Sequence, residues 1–246
     1  MHKGGKIVIT LLFLIVLVVG GYFLGLKTGV IWKDEVDEKL YGVRGIAVSE
    51  INGDIDWTKV SKEGNIAFAF IKATEGTMIK DKKYAINYVN AKKAGVKVGI
   101  YHEYVHGNEL STQVKFYMKN VKVGSTHLKP TMKIMFDTSL MTKEDKTKFQ
   151  DDMFIACQTI YDNYKKNLMI YTTEAIYKDL FSGSKFDNNN LIVENLKIKP
   201  LMMDASRWNF WQYKTDSVVT GIPNPTCKMV YRDTMGDFEN YMAHTK

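Results

Sequence analysis

The first pattern along the chain is an unbroken apolar one. Ile7 to Leu26 reads IVITLLFLIVLVVGGYFLGL, 20 residues without a charge. No polar face interrupts it, so it predicts a helix that is apolar all round. At 1.5 Å per residue that helix is about 30 Å long, the thickness of a bilayer's hydrocarbon core. A charged stretch follows from Lys33 to Tyr41, and the pattern then changes to short apolar runs separated by longer amphipathic ones. The short runs predict strands at Gly45–Val48, Ala67–Lys72, Lys97–Tyr104, Lys133–Phe136 and Leu168–Tyr171, with later candidates at Leu201–Met203 and Phe210–Tyr213.

The runs between them carry helical spacing. Tyr84, Tyr88, Ala91 and Ala94 fall on one face, with Asp81 as a candidate cap and Gly95 as the stop. Leu110, Val114, Tyr117 and Val121 mark a second helix. Thr142, with Asp145 three residues on, opens a third that buries Phe149, Met153, Cys157, Ile160 and Tyr164. Ser182–Asn190 is a polar, Asn-rich loop, and there is no internal repeat. Strand–helix alternation over about 205 residues predicts an α/β fold with a mostly parallel sheet, best satisfied by an irregular (β/α) TIM-like barrel. The expected organisation is a cytoplasmic N-terminus at 1–6, a transmembrane anchor at 7–26, a stalk at 27–41 and the barrel at 42–246.

Charge sets the orientation of this arrangement. The 246 residues carry a net +7, from 34 basic and 27 acidic residues. Lys3 and Lys6 precede the apolar run, and an acidic DEVDE segment follows it. The positive-inside rule then predicts a single-pass protein of the cell membrane, N-terminus cytoplasmic and barrel extracytoplasmic. A cleaved signal peptide is the rival reading, opposed by the length of the run and by the lack of an A-x-A site. Residues 33–246 hold 31 basic and 27 acidic residues, an excess too mild to point to nucleic acid. The two cysteines, Cys157 and Cys227, have no metal-ligand spacing, and neither metal nor cofactor is expected. Outside the cytoplasm a disulfide between them is permitted, whereas the helical pattern around Cys157 predicts a buried thiol.

In a barrel of this kind the chemistry sits at the C-terminal strand ends. The polar residues there include Ser49, Glu50, Thr74, Glu75, His102, Glu103, Asp137, Ser139, Thr172, Thr173, Asp204 and Gln212, with Trp57, Tyr101, Tyr171, Trp208, Trp211 and Tyr213 among them. Aromatic rings with amides suit a sugar, whose apolar face stacks while its hydroxyls take hydrogen bonds.

Several of these residues also fall in ordered motifs. Gly45-Ile46-Ala47-Val48-Ser49 is followed by Asn52-Gly53-Asp54-Ile55-Asp56-Trp57, by Phe68-Ala69-Phe70-Ile71-Lys72-Ala73-Thr74-Glu75-Gly76, and by Ala94 through Tyr101-His102. Ile170-Tyr171-Thr172 and Trp211-Gln212-Tyr213 come later. The set, from about Gly42 to Phe238, resembles the family 25 glycoside hydrolases, muramidases of bacteria and phage that cut the glycan strand of peptidoglycan. The resemblance implies an irregular β/α barrel and a glycan cleft lined by Tyr101, His102, Tyr171, Trp211, Gln212 and Tyr213.

The catalytic motifs depart from the family pattern. The family's first strand usually reads Gly-Ile-Asp-Val-Ser, and Ala47 stands at the Asp. Its fourth-strand motif is usually Asp-x-Glu, and this alignment sets Asp137-Thr138-Ser139 there, so that Asp137 is the surviving acid and Ser139 replaces the Glu. A Val-Asp pair near the end aligns with Cys227-Lys228, which puts Lys228 at the last acid position. Glycoside hydrolysis generally needs two carboxyl groups flanking the bond, and losing general acid–base help typically costs about 10²–10⁴ in rate. The resemblance with these losses predicts a domain that binds peptidoglycan or a related wall glycan without cutting it. Two alternatives stand beside it: an active muramidase that pairs Asp137 with a relocated acid such as Glu103, and a scaffold that docks an envelope protein partner.

Overall fold

The computed structural model describes residues 3–27, 36, 40–124, 127–184, 186, 191–200 and 208–244. Eight strands close into a barrel: β1 (Arg44–Val48), β2 (Phe68–Glu75), β4 (Lys97–Glu103), β5 (Thr131–Ile134), β6 (Met169–Thr173), β7 (Leu191–Glu194), β8 (Trp208–Ser217) and β9 (Thr226–Tyr231). A two-residue strand, β3 (Ile79–Lys80), folds back on the end of β2. Neighbouring barrel strands run parallel from β1 through β8, and the β1–β2 pairing closes the ring. The exception is β9, antiparallel to both β8 and β1. The mixed α/β barrel expected from the alternation is therefore present, and its irregularity lies in β9 and in register shifts on β2, β7 and β8.

Side chains alternate between two cores, as strand geometry requires. Inward-facing Phe68, Phe70, Tyr101, Met169, Tyr171, Ile192, Phe210 and Met229 fill the barrel. Gly45 and Gly99 leave room for these rings: a Cβ on Gly45 would lie 2.1 Å from Phe68, and one on Gly99 2.4 Å from Phe70. The C-terminal helix α7 (Met235–His244) closes the lower end, where Phe238 packs on Phe68, Phe210 and Tyr231. Outward-facing Ile46, Val48, Ile71, Val98, Ile100, Ile170, Val193 and Trp211 pack beneath the helices. Those are α2 (Trp57–Lys62), α3 (Tyr84–Lys93), α4 (Leu110–Asn120), α5 (Lys143–Tyr164) and α6 (Glu174–Leu180).

The helices follow their spacing closely. α5 opens on the Thr142–Asp145 capping box and buries Phe149, Met153 and Ile160, while Cys157 is half-buried. Gly95 adopts φ +83° just beyond α3, and Val114 and Tyr117 of α4 are buried. Asp81 does not cap α3; its carboxylate accepts from Lys83 N and Glu50 N and ties two loops together. The strands differ more. β5 pairs with its neighbours over Thr131–Ile134, so it begins and ends two residues before the predicted Lys133–Phe136. β7 and β9 were not predicted as strands, and Leu201–Met203 lies outside the described residues. No disulfide joins Cys157 to Cys227.

The N-terminal segment forms a helix, α1 (Lys3–Lys27). Its side chains are described for residues 10–25, and the large apolar ones from Leu11 to Leu24 are exposed. Among the described residues, no helix is long and apolar enough to cross a membrane. The expected stalk is in part docked: Val36 and Tyr41 are buried in the outer core, with the Tyr41 ring 6.0 Å from Trp211 and 6.5 Å from Trp208.

Candidate functional site

At the C-terminal end of the barrel the inward-facing residues turn from apolar to polar. On β2, Phe68 and Phe70 are followed by Lys72; on β4, Tyr101 by Glu103; on β7, Ile192 by Glu194; on β8, Phe210 by Gln212. Lys72 Nζ lies 2.5 Å from Glu75 and 2.6 Å from Glu103. Lys133, from β5, lies 3.4 Å from the other Glu103 oxygen, with its ammonium 6.0 Å from the Tyr101 ring centre and 5.6 Å from that of Tyr171. Gln212 Nε2 donates to Glu194 at 2.5 Å, and the Tyr171 hydroxyl donates to Gln212 Oε1.

Opposing effects set the charge of these groups. Burial raises the pKa of Glu103, but Lys133 and Lys72 outweigh it and hold the carboxyl below its usual range. Burial lowers that of Lys72, yet the hydrogen bonds and charges of Glu103 and Glu75 leave it raised. Glu194 is pushed up by burial, with Lys133 opposing only in part. The Cys227 thiol is also pushed up by burial. Both tyrosine hydroxyls are held protonated by burial.

The residues singled out from the sequence divide between this mouth and other places. Ala47 faces the interior and pairs with Cys227 across β1 and β9. Cys227 is the inward residue there, and Lys228, expected at the last acid position, lies on the other face beside Arg44 and Tyr213. Asp137, expected as the surviving acid, is exposed beyond the end of β5. Its carboxylate accepts from Ser139 N at 2.9 Å, and the Ser139 hydrogen bonds hold it below the usual range. It borders a groove of about 690 Å³ between the β4–α4 loop and α5, with His106, Asp145, Lys148 and Asp152. The inward pair two residues apart on this strand is Lys133 and Met135. The early end of β5 explains the difference, since Asp137 is three residues past the last paired position.

The expected cleft residues separate by strand alternation. Tyr101-His102 and Trp211-Gln212-Tyr213 are consecutive, and consecutive strand residues face opposite sides. Tyr101, Tyr171 and Gln212 point inward and are almost fully buried. Trp211 is completely buried in the outer core and donates from Nε1 to Asn195 O at 2.8 Å, so it packs the helix layer and presents no face to a sugar. Tyr213 packs at the edge of the same core. His102 is completely buried between Thr74 Oγ1, at 2.8 Å from Nδ1, and Gln113 Oε1, at 3.3 Å from Nε2. The Gln113 oxygen only accepts, so Nε2 carries the proton and Nδ1 accepts from Thr74. Burial lowers the pKa of His102 to about 4, which keeps the ring neutral and makes it a structural group. Lys72, Lys133, Glu194 and Cys227 were missed from the sequence. Continuing the inward register Phe68, Phe70 to Lys72, or Ile192 to Glu194, is the signal that would have found them.

Among the described residues, the chemistry open to this mouth is that of three carboxylates (Glu75, Glu103 and Glu194), two ammonium groups and an amide at the end of an apolar barrel. Among the described residues no cluster of His, Cys, Asp or Glu has the makings of a metal site.

Comparison with known proteins places the fold and the domain. A family 25 glycosyl hydrolase from Bacillus anthracis superposes with a TM-score of 0.73 at 28% identity, over 84% of this chain and 95% of that one. The bacterial lysozyme of Streptomyces coelicolor shares the fold at a TM-score of 0.73 and 23% identity, over 83% and 98% of the two chains. The autolytic lysozyme of Clostridium acetobutylicum is 29% identical over 185 residues, which are 73% of this chain and 53% of that protein. Residues 46–222 match the description of the glycosyl hydrolases family 25, and they include the end of β1, all of β2 through β8, and Lys72, Glu103, Lys133, Glu194 and Gln212 of the barrel mouth; the chain belongs to that family.

Proposed function

We propose that this protein is a membrane-anchored, lysozyme-like domain directed at peptidoglycan that binds wall glycan without hydrolysing it. One observation carries the loss of catalysis: the inward-facing residues at the mouth end of β1, β5 and β9 are Ala47, Lys133 with Met135, and Cys227, none of them an acid. Among the described residues, Glu103 and Glu194 are the carboxylates in the inward register of the barrel strands, each already engaged, by lysines and by Gln212 respectively; Asp204 lies outside the described residues. The anchor is proposed on the uncharged run from Ile7 to Leu26 and on the exposed, described apolar side chains of α1, which call for cover, against the finding that no helix among the described residues is long and apolar enough to cross a membrane. An envelope protein partner draws no support from the geometry.

Two assays test this reading. The full-length protein in mild detergent is expected to sediment with insoluble peptidoglycan and to release no reducing ends from it, and a wild type that neither sediments nor binds a disaccharide of the glycan strand would refute glycan binding. Recovery in the soluble fraction after cell lysis would refute the anchor. The competing reading, an active hydrolase, draws on one feature: Glu194 is held toward its protonated form and Glu103 toward its ionised form, the division of labour a glycosidase needs. Reducing ends released by the wild type and lost in E103Q or E194Q would establish that reading instead.

A further inference from the structure

The cations of the barrel mouth are unequally satisfied. Lys72 holds two carboxylate oxygens at 2.5 and 2.6 Å, from Glu75 and Glu103, and its side chain is 16% exposed. Lys133 has a single carboxylate contact, to Glu103 at 3.4 Å, and is 22% exposed. Its other close neighbours are the faces of Tyr101 and Tyr171, which hold a cation without consuming its N–H donors. An ammonium has three donors. Lys133 therefore presents donors at the inner face of the mouth, on the strand where the family carries its Asp-x-Glu acids. The nearby carboxylates feel its charge but do not use up its donors: Glu103 is shared with Lys72, Glu75 pairs with Lys72, and Glu194 accepts from Gln212.

We propose that Lys133 is a ligand-binding residue that takes a carboxylate, so that the mouth selects glycan whose N-acetylmuramic acid units carry a free lactyl carboxyl group. The inference rests on the wall-glycan reading and names its ligand more closely. In intact peptidoglycan the lactyl carboxyl is the amide link to the stem peptide and bears no charge. A free carboxylate appears once that amide is hydrolysed, so the reaction that supplies this ligand is an amide hydrolysis that strips peptides from the strand. The acids that a muramidase presents in this region would repel such a group, whereas Lys133 pairs with it. A charge-assisted hydrogen bond of this kind is worth about 1.5–3 kcal/mol, which corresponds to about a tenfold to hundredfold change in affinity.

The test is calorimetric binding of the full-length protein to the disaccharide of N-acetylglucosamine and N-acetylmuramic acid, as the free acid and as its neutral methyl ester. The wild type is expected to bind the acid at least about tenfold more tightly than the ester. K133M keeps the length and the ring contacts of the side chain; it should reduce acid binding to the ester level and leave ester binding unchanged, while K133R should keep the preference. Equal binding of acid and ester by the wild type overturns the proposal without need of a variant, and so does a preference that survives in folded K133M. A wild type that sediments with peptidoglycan but does not distinguish acid from ester defeats this inference alone. One that neither sediments nor binds either disaccharide defeats the wall-glycan reading and this inference with it.

Discussion

At the lower end of the barrel Phe68, Phe210, Tyr231 and Phe238 pack ring against ring, with Phe68 and Phe210 centred 4.9 Å apart and Tyr231 and Phe238 5.2 Å apart. A few residues further along the same strands, on the same inward face, stand Lys72, Glu103, Lys133, Glu194 and Gln212. The lower end is closed by α7 and shielded from water, so its side chains contribute through apolar burial and close packing. The upper end is partly open, so its charges retain some solvation, and mutual pairing offsets the rest. One set of strands thus carries an apolar, stabilising half and a polar half that faces the opening, the end at which barrels of this type generally place their chemistry.

The largest effect that tests this division is expected at the lower end. Phe210→Ala should destabilise the protein by about 3–5 kcal/mol, because the closed end cannot collapse around the lost ring. In thermal denaturation this is a fall in Tm of about 10 °C for a domain of this size. Glu103→Gln, at the open end, should cost only about 1 kcal/mol, since the side chain is 31% exposed and Lys72 keeps Glu75. Equal losses in the two variants would erase the distinction.

The next effect is a pH dependence that belongs to the outer layer. His102 takes a proton at about pH 4 in the folded protein, against 6.5 for the unperturbed group. Between those values the unfolded chain binds more protons, so stability rises with pH. The contribution is complete above pH 6.5 and is lost as the pH falls toward 4, a change of about 3 kcal/mol. Urea titrations across this range should show it, and His102→Gln should flatten the curve. Glu103, whose pKa is lowered on folding, adds a further loss only below its unperturbed value of 4.5. Glu194 and Asp81, raised on folding, oppose this slope and His127, lowered on folding, adds to it, so the test is the difference between proteins: a His102→Gln variant with the same slope as the wild type would contradict the buried neutral ring.

The smallest effect is expected at Asp137. It is exposed and outside the mouth, so Asp137→Asn should change stability by no more than about 0.5 kcal/mol and leave peptidoglycan binding unaltered. A loss of binding in this variant would move the ligand site to the groove beside α5.

Much of the architecture is legible in the amino-acid pattern. Helical spacing located α4 and α5 and named the Thr142–Asp145 cap, and the alternation of strands and helices gave the barrel. β7 was hidden because Leu191–Glu194 is only four residues long and follows an Asn-rich loop. β9 was hidden because its apolar residues are interrupted by Lys228 and its direction reverses. The candidate site was legible by composition and misread by side. Motif matching groups residues that are adjacent in sequence, so it put His102 and Trp211 into a cleft with Tyr101 and Gln212, although alternation sends them to opposite faces.

The sequence by itself determined what depends on local pattern: the apolar N-terminal run, the number and order of most elements, the family, and the Ala at position 47. These follow from side-chain periodicity and from motifs that each lie within a few residues. The tertiary structure decided what depends on where a strand ends and on which face a residue lands. It ended β5 at Ile134, so Lys133 and Met135 rather than Asp137 and Ser139 face the interior, and it turned Cys227 inward and Lys228 out. A one-residue change in register exchanges the two faces of a strand. Pairing with neighbours distant in sequence, such as Lys133 with Tyr171 and Ala47 with Cys227, fixes that register, and no local pattern contains it.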